Sequence, residues 1–398
     1  LEIDLEGSIR VEQDNQVAHL DQVQVTVQGA TAQPVKATLS GPFHLSRQTA
    51  ELALQLDLGQ TMGEGTLRYA SFESPQIDTN LHLNLLDPAL LVLAGPEAAE
   101  AAPAESGDSS LPLDAIRAID TRAALRVDEA RLDAHVISDL VVELRAVEGV
   151  IDIGTLTGEL HGGKLDASAT FDGRLNTAKL RTRGGLTGLD IARAMVATES
   201  TTEVTGTATL NWQLDSSGRT TDDLTANLNG PIQLDTAKVV LKGTNVEHLL
   251  CQTVALANQK GLTQAFGTDT QFDTLGAQIQ LANGRAQLSP LQAKLPRLGL
   301  SGKGEFDITR GDLEARFKAR LSPELEELDP ACNISKRLTA IDFPVNCKGN
   351  TSGDPADWCM VDAEQILKDL AVNQGKKKLE KKAGKYLNKW LDKKNKED

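Results

Sequence analysis

Residues 158–174 read GELHGGKLDASATFDGR, and within them Leu165, Ala167, Ala169 and Phe171 alternate with Asp166, Ser168, Thr170 and Asp172. A period of two is that of a half-buried β-strand, whose successive side chains point to opposite faces. Asp-Gly-Arg at 172 then reads as a turn. Working outward, the same alternation recurs at Val23, Val25, Val27; at Leu52, Leu54, Leu56, Leu58; at Leu81, Leu83, Leu85; at Ala208, Leu210, Trp212, Leu214; and at Leu313, Ala315, Phe317, Ala319, Leu321. Between these runs lie DSSGR at 215, LNGP at 228, ANGR at 282 and TRGD at 309, all turn chemistry. The expectation is a succession of antiparallel hairpins. SGKGEF at 301 reads as a hairpin or bulge, and His161 as a strand residue ahead of a Gly-Gly turn.

Helical period is confined to short segments: 111–119, 188–197 and 245–259, the last two with Asp190 and Asn245 as caps. These are expected to plug or cap the sheet. Residues 95–110, GPEAAEAAPAESGDSS, are acidic and lack large apolar side chains, which marks a linker. The expected organisation is a β-rich segment at 1–94, the linker at 95–110, a β-domain at 111–361 and a Lys-rich helix at 362–398. In that helix Leu379, Ala383, Tyr386, Leu387, Trp390 and Leu391 recur at steps of three and four among lysines. Lys382, Tyr386, Trp390 and Lys394 are its candidates for contact with an anionic membrane surface. The competing reading is an ordinary terminal helix with a solvated Lys face.

The formal net charge is -15, although residues 376–398 hold ten Lys against four acids. An acidic body argues against nucleic acid as a partner. No stretch approaches the roughly 18–20 apolar residues of a membrane span. The chain opens in the alternation Leu1, Ile3, Leu5 without a Met, so the expectation is that a targeting or anchoring segment precedes it. Cys251, Cys332, Cys347 and Cys359 are spaced by 81, 15 and 12 residues, which suits disulfides better than metal ligation, with four free thiols as the alternative. Cys347 with Cys359 and Cys251 with Cys332 is the preferred pairing, though sequence alone does not determine connectivity.

Six histidines, at 19, 44, 82, 135, 161 and 248, form no metal-binding spacing, and neither a nucleophile elbow nor a phosphate loop is present. No metal, cofactor or catalytic residue is expected. A glycosidase-like carboxylate pair is the remaining catalytic possibility, and only 3% of residues are aromatic, which disfavours a sugar platform.

The run LPLDAIRAIDTRAALRVDEARLDAHVISDLVVELRAVEGVIDIGTLTGELHGGKLDASATFDGR, 111–174, resembles the AsmA family, with Pro112, Leu113 and Asp114 opening a short helix and His161, Gly162 and Gly163 closing a strand. GGLTGLDIARAMV and the Gly-marked segments after it continue the same order, and the resemblance extends over roughly 111–398. His161 stands where that family often has an aromatic residue. The resemblance implies a non-enzymatic protein anchored in the inner membrane of a Gram-negative bacterium, with a large β-structure in the oxidising periplasm. It also implies similarity to bridge-like lipid transfer proteins. The expected fold is therefore mainly β: an elongated, curved antiparallel sheet, as a groove or partly open barrel, with a few short helices. Phospholipid acyl chains are the expected partner, on a groove with Leu165, Ala167, Leu210, Trp212, Leu234, Leu281, Leu300 and Phe317 as candidate lining. Gly-rich turns at Gly162–Gly163 and Gly184–Gly185 would then shape its curvature. Without the resemblance, a closed sandwich is the ordinary fate of alternating strands. The alternative function is a scaffold that assists outer-membrane proteins through exposed strand edges.

Overall fold

The computed structural model describes residues 2–12, 14, 16–28, 34–71, 76–87, 110–197, 203–308, 310–334, 338, 342–350, 353 and 358–361. The Lys-rich segment, with Lys382, Tyr386, Trp390 and Lys394, lies outside them, as does the segment 95–109. The protein is mainly β. Its strands are β1 (Glu2–Glu12), β2 (Val17–Gln28), β3 (Val35–His44), β4 (Thr49–Leu58), β5 (Thr61–Ala70), β6 (Gln76–Leu86), β7 (Thr121–Leu132), β8 (His135–Val147), β9 (Val150–Leu160) and β10 (Gly163–Asp172). They continue as β11 (Ala178–Asp190), β12 (Val204–Gly218), β13 (Gly230–Leu241), β14 (Thr270–Ala282), β15 (Arg285–Leu295), β16 (Leu298–Asp307), β17 (Asp312–Leu321), β18 (Phe343–Asn350) and β19 (Cys359–Val361). All 19 belong to one sheet, which does not close into a barrel. Four short helices, α1 (Leu113–Ala118), α2 (Ile191–Ala197), α3 (Thr221–Ala226) and α4 (Val246–Ala257), join them.

The chain divides into two compact units, Leu1–Glu199 with Thr207–Leu234 and Ile279–Arg285, and Ser200–Gly206 with Asp235–Gln278 and Ala286–Asp398. In the first, each of β1–β12 pairs with the next in chain order. One join departs from the expected antiparallel hairpins: β6 and β7 are parallel, Ile77 opposite Thr121 and Leu83 opposite Val127. A parallel pair needs a connection of a dozen residues or more, and 87–120 is long enough. Two turn readings also change. DSSG at 215 continues β12, because Ala178–Leu180 of β11 pair as far as Gly218. His161 ends no strand; with φ near +48° it occupies the two-residue turn His161-Gly162 between β9 and β10.

The second unit has a conventional core. Asn245 accepts from the His248 backbone N at 2.7 Å and starts α4, which then buries Leu250, Cys251 and Val254 completely. They meet Leu295, Leu298 and Leu300 of β15 and β16, Ala315 and Ala319 of β17, and Phe343 and Val345 of β18. Two disulfides, Cys251–Cys332 and Cys347–Cys359, hold this unit, with Cα separations of 5.1 and 4.0 Å. SGKGEF is neither hairpin nor bulge. It lies in β16, whose register with β17 is unbroken, and Gly302 makes room for the Phe317 ring opposite.

Candidate functional site

Across the first unit, the register aligns one apolar or glycine residue from each of β2–β12: Val23, Leu39, Leu54, Gly65, Leu81, Leu125, Val142, Leu156, Ala167, Gly184 and Trp212. Paired residues project to the same face, so these eleven form a lane about 50 Å long at the usual strand spacing. Leu56, Gly63, Leu83, Val127 and Leu140 flank it on one side, and Ala123, Leu144, Ile153 and Ala169 on the other. One residue over, the sheet's other face carries Gln24, Thr38, Gln55, Glu64, His82, Arg126, Val141, Thr157, Asp166, Gly185 and Asn211 in the same registers. Strand alternation has thus sorted the sheet into one aliphatic and one polar face.

What covers the aliphatic face differs between the units. In the first, Leu54, Leu81, Leu125, Val142, Leu156 and Trp212 are half-buried, and Leu81, Leu125, Val142 and Leu156 pack beside a small buried cluster of Leu83, Val127, Ala130, Ile137 and Leu140. Helices α1 and α2 pack on β9 and β11. Residues 110–120, α1 included, run as a strap along one rim. Ser110 bridges to Thr220, the Leu111 N donates to the Arg219 carbonyl, Arg117 Nε donates to the Gly173 carbonyl at 2.9 Å, and the Ile77 N donates to the Asp120 carbonyl. Its Leu113 reaches the end of β10, beside Phe171 and Gly173.

The candidate lining residues therefore divide. Leu165, Leu186 and Leu210 stand in register, as do Ala167, Gly184 and Trp212, all on the aliphatic face of the first unit. Gly184 is mid-strand, contrary to its reading as a turn. A Cβ there would lie 2.6 Å from Ala167 Cβ and 2.7 Å from Trp212 Cζ2, so the indole overlies the glycine, and its Nε1 donates to Thr182 Oγ1 at 3.2 Å. Leu234 on β13 is half-buried and Leu281 on β14 is buried. Leu300 and Phe317 lie instead in the second unit, at its core. The first is 8% exposed within the core that α4 joins, and the second is half-buried and packs against that core.

The polar face holds a trough of about 1010 Å³ over β9–β12, lined by Asp152, Thr170, Arg181, Arg183 and Asp215 among others. Asp152 and Asp215 are three strands apart in register, roughly 14 Å at the usual strand spacing. A glycosidic acid and base sit within about 9.5 Å of each other, so this pair lacks that geometry. Sequence reasoning missed the contact of His135 with His161, Nδ1 to Nε2 at 2.9 Å, because 26 residues and the two strands β8 and β9 separate them. It also missed the strap and α3. Thr220 starts α3 by accepting from the Asp223 N, a capping signal that was present in the sequence.

Residues 94–291 match the AsmA family. The chain belongs to the AsmA family. It is 21% identical over 270 residues to Protein AsmA of Escherichia coli (strain K12), an alignment covering 67% of this chain and 41% of that protein. This AsmA-family chain thus spans well under half of that relative's length. No solved structure matches it. No helix among the described residues is long and apolar enough to cross a membrane.

Proposed function

We propose that this AsmA-family chain is a non-enzymatic, lipid-handling portion of a periplasmic protein. Phospholipid acyl chains lie on its aliphatic face, in a protein anchored in the inner membrane that serves phospholipid balance and outer-membrane assembly. The observation that carries this reading is the lane from Val23 to Trp212, apolar or glycine across eleven strands, along which Leu54, Leu81, Leu125, Val142, Leu156 and Trp212 stay only half-buried. Monomeric soluble proteins seldom leave contiguous apolar patches larger than a few hundred Å². Each methylene withdrawn from water contributes about 0.8 kcal/mol, so a two-chain lipid gains most on a long, continuous surface. Family membership supports an envelope role, and the two disulfides agree with an oxidising compartment.

A second reading has its own observation. Among the described residues, strand β1 pairs with β2 alone, and Ile3, Leu5, Ile9 and Val11 on it are 55–71% exposed. Such an edge suits β-augmentation by another polypeptide, the action of a scaffold. Mass spectrometry of organic extracts from protein purified without detergent separates the two, alongside a Leu125→Asp/Leu156→Asp variant. Stoichiometric phospholipid in the wild type, lost from a variant that keeps its circular dichroism, is the expected result. Lipid-free wild-type protein that cross-links to envelope proteins through β1 would replace lipid handling with the scaffold.

A further inference from the structure

The aliphatic face has two rims, and the strap at 110–120 occupies one of them. At the other rim, three elements converge: the turn between β7 and β8, the His161-Gly162 turn, and the passage from β11 into α2. The Asp190 N donates to the His161 carbonyl at 3.0 Å, and His135 Nδ1 lies 2.9 Å from His161 Nε2 with the rings edge-on at 73°. Arg193 on α2 is held there by Asp190, whose Oδ1 accepts from the Arg193 N at 3.2 Å and whose Oδ2 is 3.7 Å from Nε. Arg193 Nη1 comes within 3.4 Å of the place a Gly162 Cβ would take. Two imidazoles in contact thus stand beside a guanidinium held by Asp190.

We propose that this rim cluster, His135, His161 and Arg193, binds a phosphate-bearing anion, and that on this face the anion is the headgroup of a phospholipid whose chains lie on the aliphatic lane. The lipid source rests on the function proposed above; the anion site does not. Three observations carry it. First, a two-residue turn with both central φ angles positive ordinarily takes Asn-Gly or Gly-Gly, and here His161 occupies the first position at φ +48°. Its ring contacts His135. Second, an N–H···N bond between imidazoles needs one neutral acceptor nitrogen, so full protonation sets two cations against each other beside Arg193. An anion resolves that repulsion. Third, the cluster stands where the aliphatic face ends. His135 is two residues from Ile137 and so shares its face of β8, Ile137 pairs with Leu160, and the Leu165, Leu186, Leu210 row begins two residues beyond Gly163.

The protonation state supports the assignment. Burial, then His135 and Arg193, hold the His161 pKa below 6.5, with Asp190 opposing them. These are the charged and titratable groups facing it from β8, α2 and β11. A bound phosphate favours the protonated imidazole, so binding takes up a proton and affinity rises as pH falls. A divalent metal ion would instead need both imidazoles neutral and would be repelled by Arg193.

The test uses the chain in solution, following the histidine Cε1–H NMR signals while dihexanoyl-phosphatidylglycerol, dihexanoylglycerol, inorganic phosphate or Zn²⁺ is added. The phosphate-bearing lipid is expected to shift both His135 and His161 and to bind about tenfold more tightly at pH 5.5 than at pH 7.5. His161→Asn, which suits a positive φ, and Arg193→Gln are each expected to weaken it about tenfold while binding of the uncharged lipid is unchanged. If inorganic phosphate binds as tightly as phosphatidylglycerol, the anion site stands and its lipid source fails. If both lipids bind equally with the histidine signals unmoved, the rim site is overturned and the aliphatic face stands. Shifts with Zn²⁺ but not with phosphate also overturn it, and binding of none of the four removes both readings.

Discussion

Gly184 illustrates how a single position sets the character of the aliphatic face. No side chain fits beneath Trp212, because a Cβ would sit within 2.7 Å of both the indole and Ala167. Gly184→Val is expected to cost about 1–3 kcal/mol through overpacking and to displace the indole, read as a change in tryptophan fluorescence together with a lower urea midpoint. Asp329 plays the corresponding part in the second unit. Fully buried, it accepts from the backbone N of Ala331, Thr263 and Gln264 and from the Thr263 hydroxyl. Those hydrogen bonds, led by that from Ala331, hold its carboxyl at about 2 against an ordinary 3.8. Because the folded value is depressed, its stabilisation is fully present above about pH 4 and is lost as pH falls toward 2. Asp329→Asn should therefore lower the urea midpoint at pH 7, and the gap from the wild type should narrow between pH 4 and pH 2. A gap constant across that range would show that the carboxylate charge plays no part.

At the scale of elements, α4 and the strap at 110–120 are the two segments that decide what the strands show to solvent. Helix α4 is tied to the chain by Cys251–Cys332, which closes a loop of 81 residues. On loop-closure grounds that tie contributes roughly 4 kcal/mol. Cys251→Ser/Cys332→Ser is expected to lower the stability of the second unit by about that amount. Hydrogen exchange should then accelerate in β16–β18 and remain unchanged in β7–β11; equal acceleration in both would mean that the units unfold as one. The strap was only partly legible. Pro112, Leu113 and Asp114 announced a short helix, but its docking on Gly173, Arg219 and Thr220 joins positions up to 110 residues apart in sequence. No local pattern encodes such a contact. His135 and His161 were invisible as a pair for the same reason.

For the whole molecule, the contrast between covered and uncovered apolar residues makes a direct prediction. Leu250→Asp places a charge in a closed core and should unfold the second unit, since burying an unpaired charge costs several kcal/mol. Leu125→Asp, on the half-buried lane, should cost far less, and urea titrations of the two variants measure the difference. Similar losses would mean that the lane is a core after all. The alternation from Val23 to Leu321 by itself determined the strands, because side-chain direction along a strand is local and repeats every two residues. It also determined that one face would be aliphatic. Asn-Gly at 283 and Arg-Gly at 310 located hairpins for an equally local reason, the backbone angles those residues accept. Cysteine spacing favoured the disulfide pairing that the fold adopts. Only the tertiary structure decided that β6 and β7 run parallel, that Leu300 joins the core built on α4, and that Leu54, Leu81, Leu125, Val142, Leu156 and Trp212 on the aliphatic face stay half-buried. Burial of a face depends on what the rest of the chain lays across it, and alternation has the same period whether that face meets a helix, another sheet or a lipid.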